Sequence, residues 1–173
     1  MALTYLRDPQ VSDALTGDFS RLWYEVSEAG GAVGYVPPVD PGEIRAAAAR
    51  VMAAVHTGRR RMLAAYGADG RLVGTTFLAL NDDFKMLHWA TVVLVMIDPA
   101  LQGGGHGREL MAETLAFARE LGLEALRLEV RGGTGIEHFY ARTGFKEVGR
   151  VPDGLRLAPG DDRDDILMWR PLD

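Results

Sequence analysis

The residues with the clearest potential for chemistry lie in one short glycine-rich segment, QGGGHGR, at positions 102–108. Glycines let the backbone approach a bound group closely and adopt positive φ angles. Apolar residues at helical spacing follow directly, so the unpaired amides of the loop and of the helix start would point to one place. The segment therefore predicts an anion-binding loop.

Two common phosphate-binding motifs do not fit this loop. In the dinucleotide fingerprint G-x-G-x-x-G, counted from Gly103 and Gly105, the third glycine would fall on Arg108. The P-loop fails because no Gly-Lys-Ser/Thr follows. The pattern that fits is Gln-x-x-Gly-x-Gly, formed by Gln102, Gly105 and Gly107.

A second segment, HFYARTGF at 138–145, accompanies the loop. Together the two segments resemble the GNAT superfamily (Gcn5-related N-acetyltransferases), whose motifs are Gln/Arg-x-x-Gly-x-Gly/Ala and Phe-Tyr-x-x-x-Gly-Phe. The stretches at 30–38 and 139–153 are also similar to the tabtoxin-resistance type of these enzymes. The resemblance implies acetyl-CoA as cofactor, a small-molecule primary amine as acceptor, and direct attack of the amine on the thioester.

The resemblance also implies which residues contact acetyl-CoA. The pyrophosphate would be bound by the backbone of Gln102, Gly103, Gly104, Gly105, His106, Gly107 and Arg108, with His106 itself a solvated loop residue. The strand residues Val95, Met96 and Ile97 would pair with the pantetheine arm like an added strand, and the amide near Val95 would polarise the thioester carbonyl. Many relatives carry Asn where Gly133 stands, and we expect Thr134 to replace its contact or the contact to be lost.

Tyr140 is the expected general acid, in the position where the family carries a tyrosine. A departing thiolate leaves more easily when it is protonated. A phenol with a pKa near 10 is slightly less acidic than a thiol near 8.5, so it can hydrogen-bond to the sulfur or share its proton.

The general base is less clearly specified. Several family members carry Glu or His eleven residues before the loop motif, where this chain has Thr91, which cannot act as a base at neutral pH. Glu129 is the expected substitute, because its strand neighbours face the opposite way and leave it free to face the acceptor. Asp82, Asp83 and a chain of water molecules stay open as alternatives. For the acceptor we expect Trp23, Tyr35 and Asp82 as binding residues.

The hydrophobic periodicity predicts the elements that position these residues. Strands are expected at 3–6, 61–66, 72–80, 88–97, 125–131, 147–151 and 166–170, and helices at 12–29, 41–58, 107–121 and 136–143. Ser12 and Asp40 are the expected N-caps. The predicted fold is one α/β domain over 1–173 with a mixed, mostly antiparallel sheet, in which the parallel strands 88–97 and 125–131 splay apart. The DDRDD run at 161–165 is expected to be a polar loop.

Composition narrows the function classes. The 173 residues carry a net charge of −5, which disfavours nucleic-acid binding and would suit a cationic or amine acceptor. The absence of cysteine excludes disulfides and thiolate catalysis, and the four histidines have no metal-site spacing, so we expect no metal. Seventeen Arg against two Lys is typical of GC-rich bacterial genes.

Location and assembly are expectations of the same kind. The N-terminus lacks the features of a signal peptide, and the longest apolar run has nine residues, at 89–97. This run is shorter than the roughly 20 residues that a membrane span requires. We therefore expect a cytoplasmic protein without membrane contact, which could form a homodimer.

Two other functions compete with acetyl transfer. The first is a non-catalytic acyl-CoA-binding or sensor module. Thr91 favours it, because it stands where several relatives carry a catalytic Glu or His, and Tyr140 disfavours it, because the expected general acid is retained. A nucleotide-dependent enzyme would use the glycine loop for ATP or NAD.

Overall fold

The predicted order of strands and helices is confirmed by the computed structural model, which describes residues 2–172. The elements are β1 Thr4–Arg7, α1 Asp13–Glu28, α2 Pro41–His56, β2 Arg60–Tyr66, β3 Leu72–Leu80, β4 Trp89–Ile97, a 3₁₀ turn at Pro99–Leu101, α3 His106–Glu120, β5 Ala125–Arg131, α4 Ile136–Arg142, β6 Lys146–Ala158 and β7 Asp161–Pro171. Both predicted caps form: the Ser12 side chain accepts from the Leu15 amide at 3.1 Å, and that of Asp40 from the Gly42 amide at 2.8 Å.

One mixed sheet organises the described residues, with strand order β1-β2-β3-β4-β5-β7-β6. Every neighbouring pair is antiparallel except β4 and β5. That parallel pair covers only the three partners Trp89–Ala125, Ala90–Leu126 and Thr91–Arg127. Beyond Thr91 the two strands separate, so the predicted splaying of the central strands is confirmed.

A bulge in β4 lies within the splayed part. Leu94 has a positive φ of 52°, and the register with β3 shifts between Thr75 and Phe77. The Thr75 hydroxyl donates to the Leu94 carbonyl at 3.2 Å and so satisfies the displaced backbone group. A bulged strand bends locally, which directs β4 away from its neighbour.

Hydrophobic cores lie on both faces of the sheet. Helices α1 and α2 cover one face, where Met62, Ala64 and Phe77 are buried. Helices α3 and α4 cover the other face, with Leu63 and Ala65 of β2 among the residues beneath them. The alternation along β2 follows from the two-residue period of a strand.

The expectation of a polar loop at 161–165 is wrong, because this run forms the first half of β7. Its acidic residues pair with β6 instead of facing solvent alone: Asp162 bonds Arg156 at 2.6 Å, and Asp164 bonds Arg150 at 2.8 Å. These hydrogen bonds hold the pKa values of both carboxyls below their ordinary range. Pro152 and Gly154, which mark a turn in the sequence, lie within a register shift of β6.

No helix in residues 2–172 is both long enough and apolar enough to cross a bilayer.

The core around Phe77 provides a test of the fold. Phe77 is fully buried and its ring lies 5.0 Å from that of Phe19. Phe77→Ala should lower the free energy of unfolding by about 3–5 kcal/mol, because it leaves a cavity under α1. Urea denaturation measures the change. Phe84→Ala is the control, since Phe84 is 81% exposed and should change stability by less than about 0.5 kcal/mol. Equal losses in the two variants would contradict this packing.

Candidate active site

Two clefts meet at the splayed strands. The first, which we call the loop groove, has a volume of about 890 Å³ and runs from the end of β4 over the loop at 102–108 to α4. The second, the sheet cleft, has about 690 Å³ and lies between the α1–α2 connection, α2 and strands β4 and β5. Val95, Ile136 and Tyr140 border both clefts. Groups bound in the two clefts would therefore meet beside these residues.

Most of the residues predicted to bind the cofactor border the loop groove. They are Val95, Met96, Ile97, Gln102, Gly103, Gly105, Gly107, Arg108 and Thr134. Gly104 and His106 belong to the same loop but do not line the groove. The expectation that His106 is solvated is wrong: the side chain is buried, packs against Gly104, and its Nδ1 lies 3.1 Å from Glu109 Oε2.

The loop geometry suits an anion. Gly103 and Gly105 have φ angles of 80° and 87°, and Gly105 is the N-cap of α3 without any side-chain cap. A Cβ at either position would meet no atom within 4 Å, so the space above the loop is free for a ligand. The side-chain amide of Gln102 donates from Nε2 to the Ile97 carbonyl at 3.1 Å and ties the loop to the end of β4. The first backbone amides of α3 have no partner within the helix and no side-chain cap, so they are free to bind an anion in the groove.

Two guanidinium groups border the same groove. Arg108 lies in the first turn of α3 and Arg142 is the last residue of α4. Within residues 2–172, neither forms an ion pair with a carboxylate. Unpaired arginines beside free amides are the donors that phosphate groups prefer. Sequence reasoning missed Arg142, because only the folded topology brings α4 next to the loop.

The strand edges between the two clefts have no partner across the gap. Residues 92–97 of β4 and 128–131 of β5 are paired with their outer neighbours β3 and β7, but not with each other. An extended ligand can bind such an edge as an added strand. The groove residues Val95, Met96 and Ile97 lie on this edge, and their contact with a pantetheine arm stays a prediction.

Tyr140 lies where the two clefts join. Its residue surface is only 8% exposed, and its ring packs edge-on against Phe139 and Phe145 at centroid distances of 5.0 and 6.0 Å. Burial raises the pKa of the phenol well above its ordinary value. The phenol is protonated at neutral pH, as tyrosine ordinarily is, and the residue borders both clefts.

The predicted acceptor residues divide into two groups. Trp23 and Tyr35 border the sheet cleft and contact each other edge-on at 5.5 Å. The Trp23 indole donates to the Val33 carbonyl at 2.8 Å, which fixes the wall formed by the α1–α2 connection. Asp82 and Asp83 lie in the connection between β3 and β4 and line neither cleft.

Glu129 borders the sheet cleft together with Thr91. The side chain of Glu129 is half-exposed and bonded to the Arg127 guanidinium at 2.5 Å. Arg127 in turn lies over the Trp89 ring, 5.6 Å from its centroid. The Glu129 carboxylate, which lines the cleft, is thus held in place by the guanidinium of Arg127.

A second carboxyl stands nearby and was not anticipated. Asp165 of β7 is opposite Arg131 in the register. Burial raises the pKa of Asp165, the charge of Glu129 raises it further, and Arg127 opposes both. The sequence concealed this residue because it belongs to the run that reads as a loop.

No group of three or more His, Cys, Asp or Glu side chains in residues 2–172 is arranged to hold a metal ion. The expectation that no metal takes part stays a prediction.

A sheet splayed between two parallel strands, with a glycine loop at a helix start and a buried tyrosine beside the gap, defines the fold class that the sequence motifs indicated. Residues 37–145 match the family described as "Acetyltransferase (GNAT) family". The chain belongs to this family.

Individual relatives agree with this assignment. The chain is 35% identical over 88 residues to a mycothiol acetyltransferase of Propionibacterium freudenreichii, an alignment that covers 50% of this chain and 28% of that protein. A GCN5-related N-acetyltransferase of Kribbella flavida has the same fold (TM-score 0.77, 24% identity, 99% and 98% of the two chains covered). So does the yncA protein of Salmonella typhimurium, solved with its cofactor acetyl-CoA (TM-score 0.77, 17% identity, 100% and 95% covered).

The glycine loop provides a test of cofactor binding. Gly105→Ala should weaken CoA binding tenfold or more, because the added methyl group projects into the space that a phosphate bonded to the loop amides would fill. Calorimetry measures the affinity. Gly58→Ala is a matched control, since Gly58 also has a positive φ, also has no atom within 4 Å of the Cβ position, and lies outside both clefts. Both variants should lose about 1 kcal/mol of stability. Equal CoA affinities in the two would contradict the assignment of the loop.

Proposed function

We propose that this protein is an N-acetyltransferase that transfers the acetyl group of acetyl-CoA to a primary amine of a small molecule, with both substrates bound together. The observation that carries the proposal is the junction of the clefts: a groove with phosphate-binding features and a second cleft open onto the same tyrosine and the same strand edge. The family match and the acetyl-CoA-bound structure of similar fold support it.

Acetyl-CoA fits the loop groove by the chemistry of its lining, and when bound it supplies an activated acetyl group as a thioester. The loop amides, with Arg108 and Arg142, bind the phosphates. The free edge of β4 binds the extended pantetheine arm. The backbone near Val95 donates to the carbonyl oxygen and stabilises the negative charge that develops there.

The proton chemistry is divided between the two clefts. On the acceptor side, Glu129 accepts a proton from the amine and so makes it a nucleophile. On the cofactor side, the Tyr140 Oη donates a proton toward the departing sulfur. Burial raises the pKa of Tyr140, so the phenol acts toward the sulfur chiefly as a hydrogen-bond donor that stabilises the departing thiolate. Trp23 and Tyr35 form the apolar wall of the acceptor cleft and help to exclude water from the reacting groups.

Replacement of the phenol tests the acid role. Tyr140→Phe should lower kcat about 10²-fold, the usual size of a general-acid contribution, and leave CoA affinity unchanged. The assay is thiol release from acetyl-CoA with a panel of amines. Tyr24→Phe is the control, because Tyr24 lies on α1 and lines neither cleft. An unchanged kcat in Tyr140→Phe would exclude the acid role. CoA binding without turnover for any amine would favour the non-catalytic acyl-CoA-binding module.

The unpaired arginine of α4 tests the position of the phosphates. Arg142→Gln should raise KM for acetyl-CoA about tenfold, because a charge-assisted hydrogen bond to phosphate is lost. With S-acetylpantetheine, which has no phosphate, KM should not change. Arg45→Gln is the control, since Arg45 is exposed on α2 and borders neither cleft. An equal loss with both donors would show that Arg142 acts in another way.

A further inference from the structure

The arginines of this acidic chain differ in whether they pair with a carboxylate. At least eight are bonded to carboxylates. In contrast, Arg50, Arg60 and Arg131 border the sheet cleft, and none of the three forms an ion pair within residues 2–172. Phosphates of the cofactor account for the free arginines of the loop groove, but not for these three.

Arg60 lies on the floor of the sheet cleft. The strand register aligns it in one row with Ala79, Thr91 and Arg127, so the four side chains share the sheet face that Met62 and Ala64 present to α1 and α2. Strands about 4.8 Å apart put Arg60 roughly 10 Å from Thr91 across this row. The small side chains of Ala79 and Thr91 leave room above the row for a ligand.

The charges around this space are predominantly positive. Glu129 is the one carboxylate among the described residues lining the cleft, and it is already bonded to Arg127. Arg60 is half-buried, and burial followed by the charge of Arg59 lowers its pKa. A partly desolvated cation without a counterion is unfavourable, and an anionic ligand group would relieve this cost.

We infer that the acceptor amine also carries an oxyanion, of the carboxylate or phosphate type, and that Arg60 binds this oxyanion from the floor of the cleft, which Arg50 also borders. The inference rests on the proposed function and specifies its substrate class: a zwitterionic, amino-acid-like amine. Its ammonium end would lie toward Glu129 and Tyr140. A polyamine or another purely cationic acceptor would be repelled by the three guanidinium groups, although the net charge of the whole chain favours one.

Matched acceptors test the inference directly. The panel pairs α-amino acids with the carboxamides of the same side chains, and adds a diamine such as cadaverine. Rates are compared per neutral amine, since amides have less basic amino groups. We expect kcat/KM at least tenfold higher for the acids than for their carboxamides, and lowest for the diamine. Equal rates for acid and carboxamide, or a preference for the diamine, would overturn the inference.

Variants of Arg60 separate charge recognition from structure. Arg60→Gln should raise KM for the acids about 10- to 100-fold and leave KM for the carboxamides and the CoA affinity unchanged. Arg60→Lys should recover part of the loss, because it retains the charge without the two-pronged geometry. Arg45→Gln on α2 should behave like the wild type. An equal loss for acids and carboxamides in Arg60→Gln would overturn the inference.

Binding without turnover distinguishes this inference from the proposed function. If CoA binds but no amine is acetylated, the proposed transfer is wrong, and the melting temperature of the CoA complex still reports on the cleft. The oxyanion site is supported if the acids raise this melting temperature and the carboxamides do not. The rise should also be lost in Arg60→Gln. No increase with any acid at millimolar concentration contradicts it.

Discussion

The interruption of pairing between β4 and β5 is the constraint on which the rest of the structure depends. Backbone donors and acceptors require partners, and after three residue pairs these two strands no longer supply them to each other. The bulge at Leu94 lies within the divergence, and the glycine loop follows β4 after a single 3₁₀ turn. Helix α4, which carries Tyr140, follows β5. The gap thus determines where an extended ligand, its phosphates and a proton donor come together.

Much of the fold follows from local sequence. Ser12 and Asp40 are recognisable caps, and the apolar periodicity of β3 and β5 predicts their exact bounds. The last hairpin could not be predicted in this way, because Pro152, Gly154 and the acidic run at 161–165 are typical of loops. In the folded chain these residues belong to β6 and β7, whose backbones pair and whose arginines and carboxylates meet across the strands, and such cross-strand pairing is not visible in either segment alone.

The candidate site could be located from the sequence where its motifs are contiguous. The glycine loop and Tyr140 stand in short recognisable segments, and the residues predicted for the cofactor largely border one groove. The arginines were not predictable, because Arg60, Arg131 and Arg142 come from three separate elements that only the tertiary fold brings to the clefts. Burial of His106 also depends on packing within the loop. The cytoplasmic location and the homodimer stay predictions.

Amide hydrogen exchange with and without CoA tests the central claim most directly. If the free edge of β4 and the glycine loop bind the cofactor, CoA should slow exchange at residues 92–97 and 103–108, where strand-like pairing and phosphate contacts form. Exchange in β6 and β7, beyond the gap, should change little. Slowed exchange confined to other parts of the chain, with residues 92–97 and 103–108 unaffected, would contradict the account.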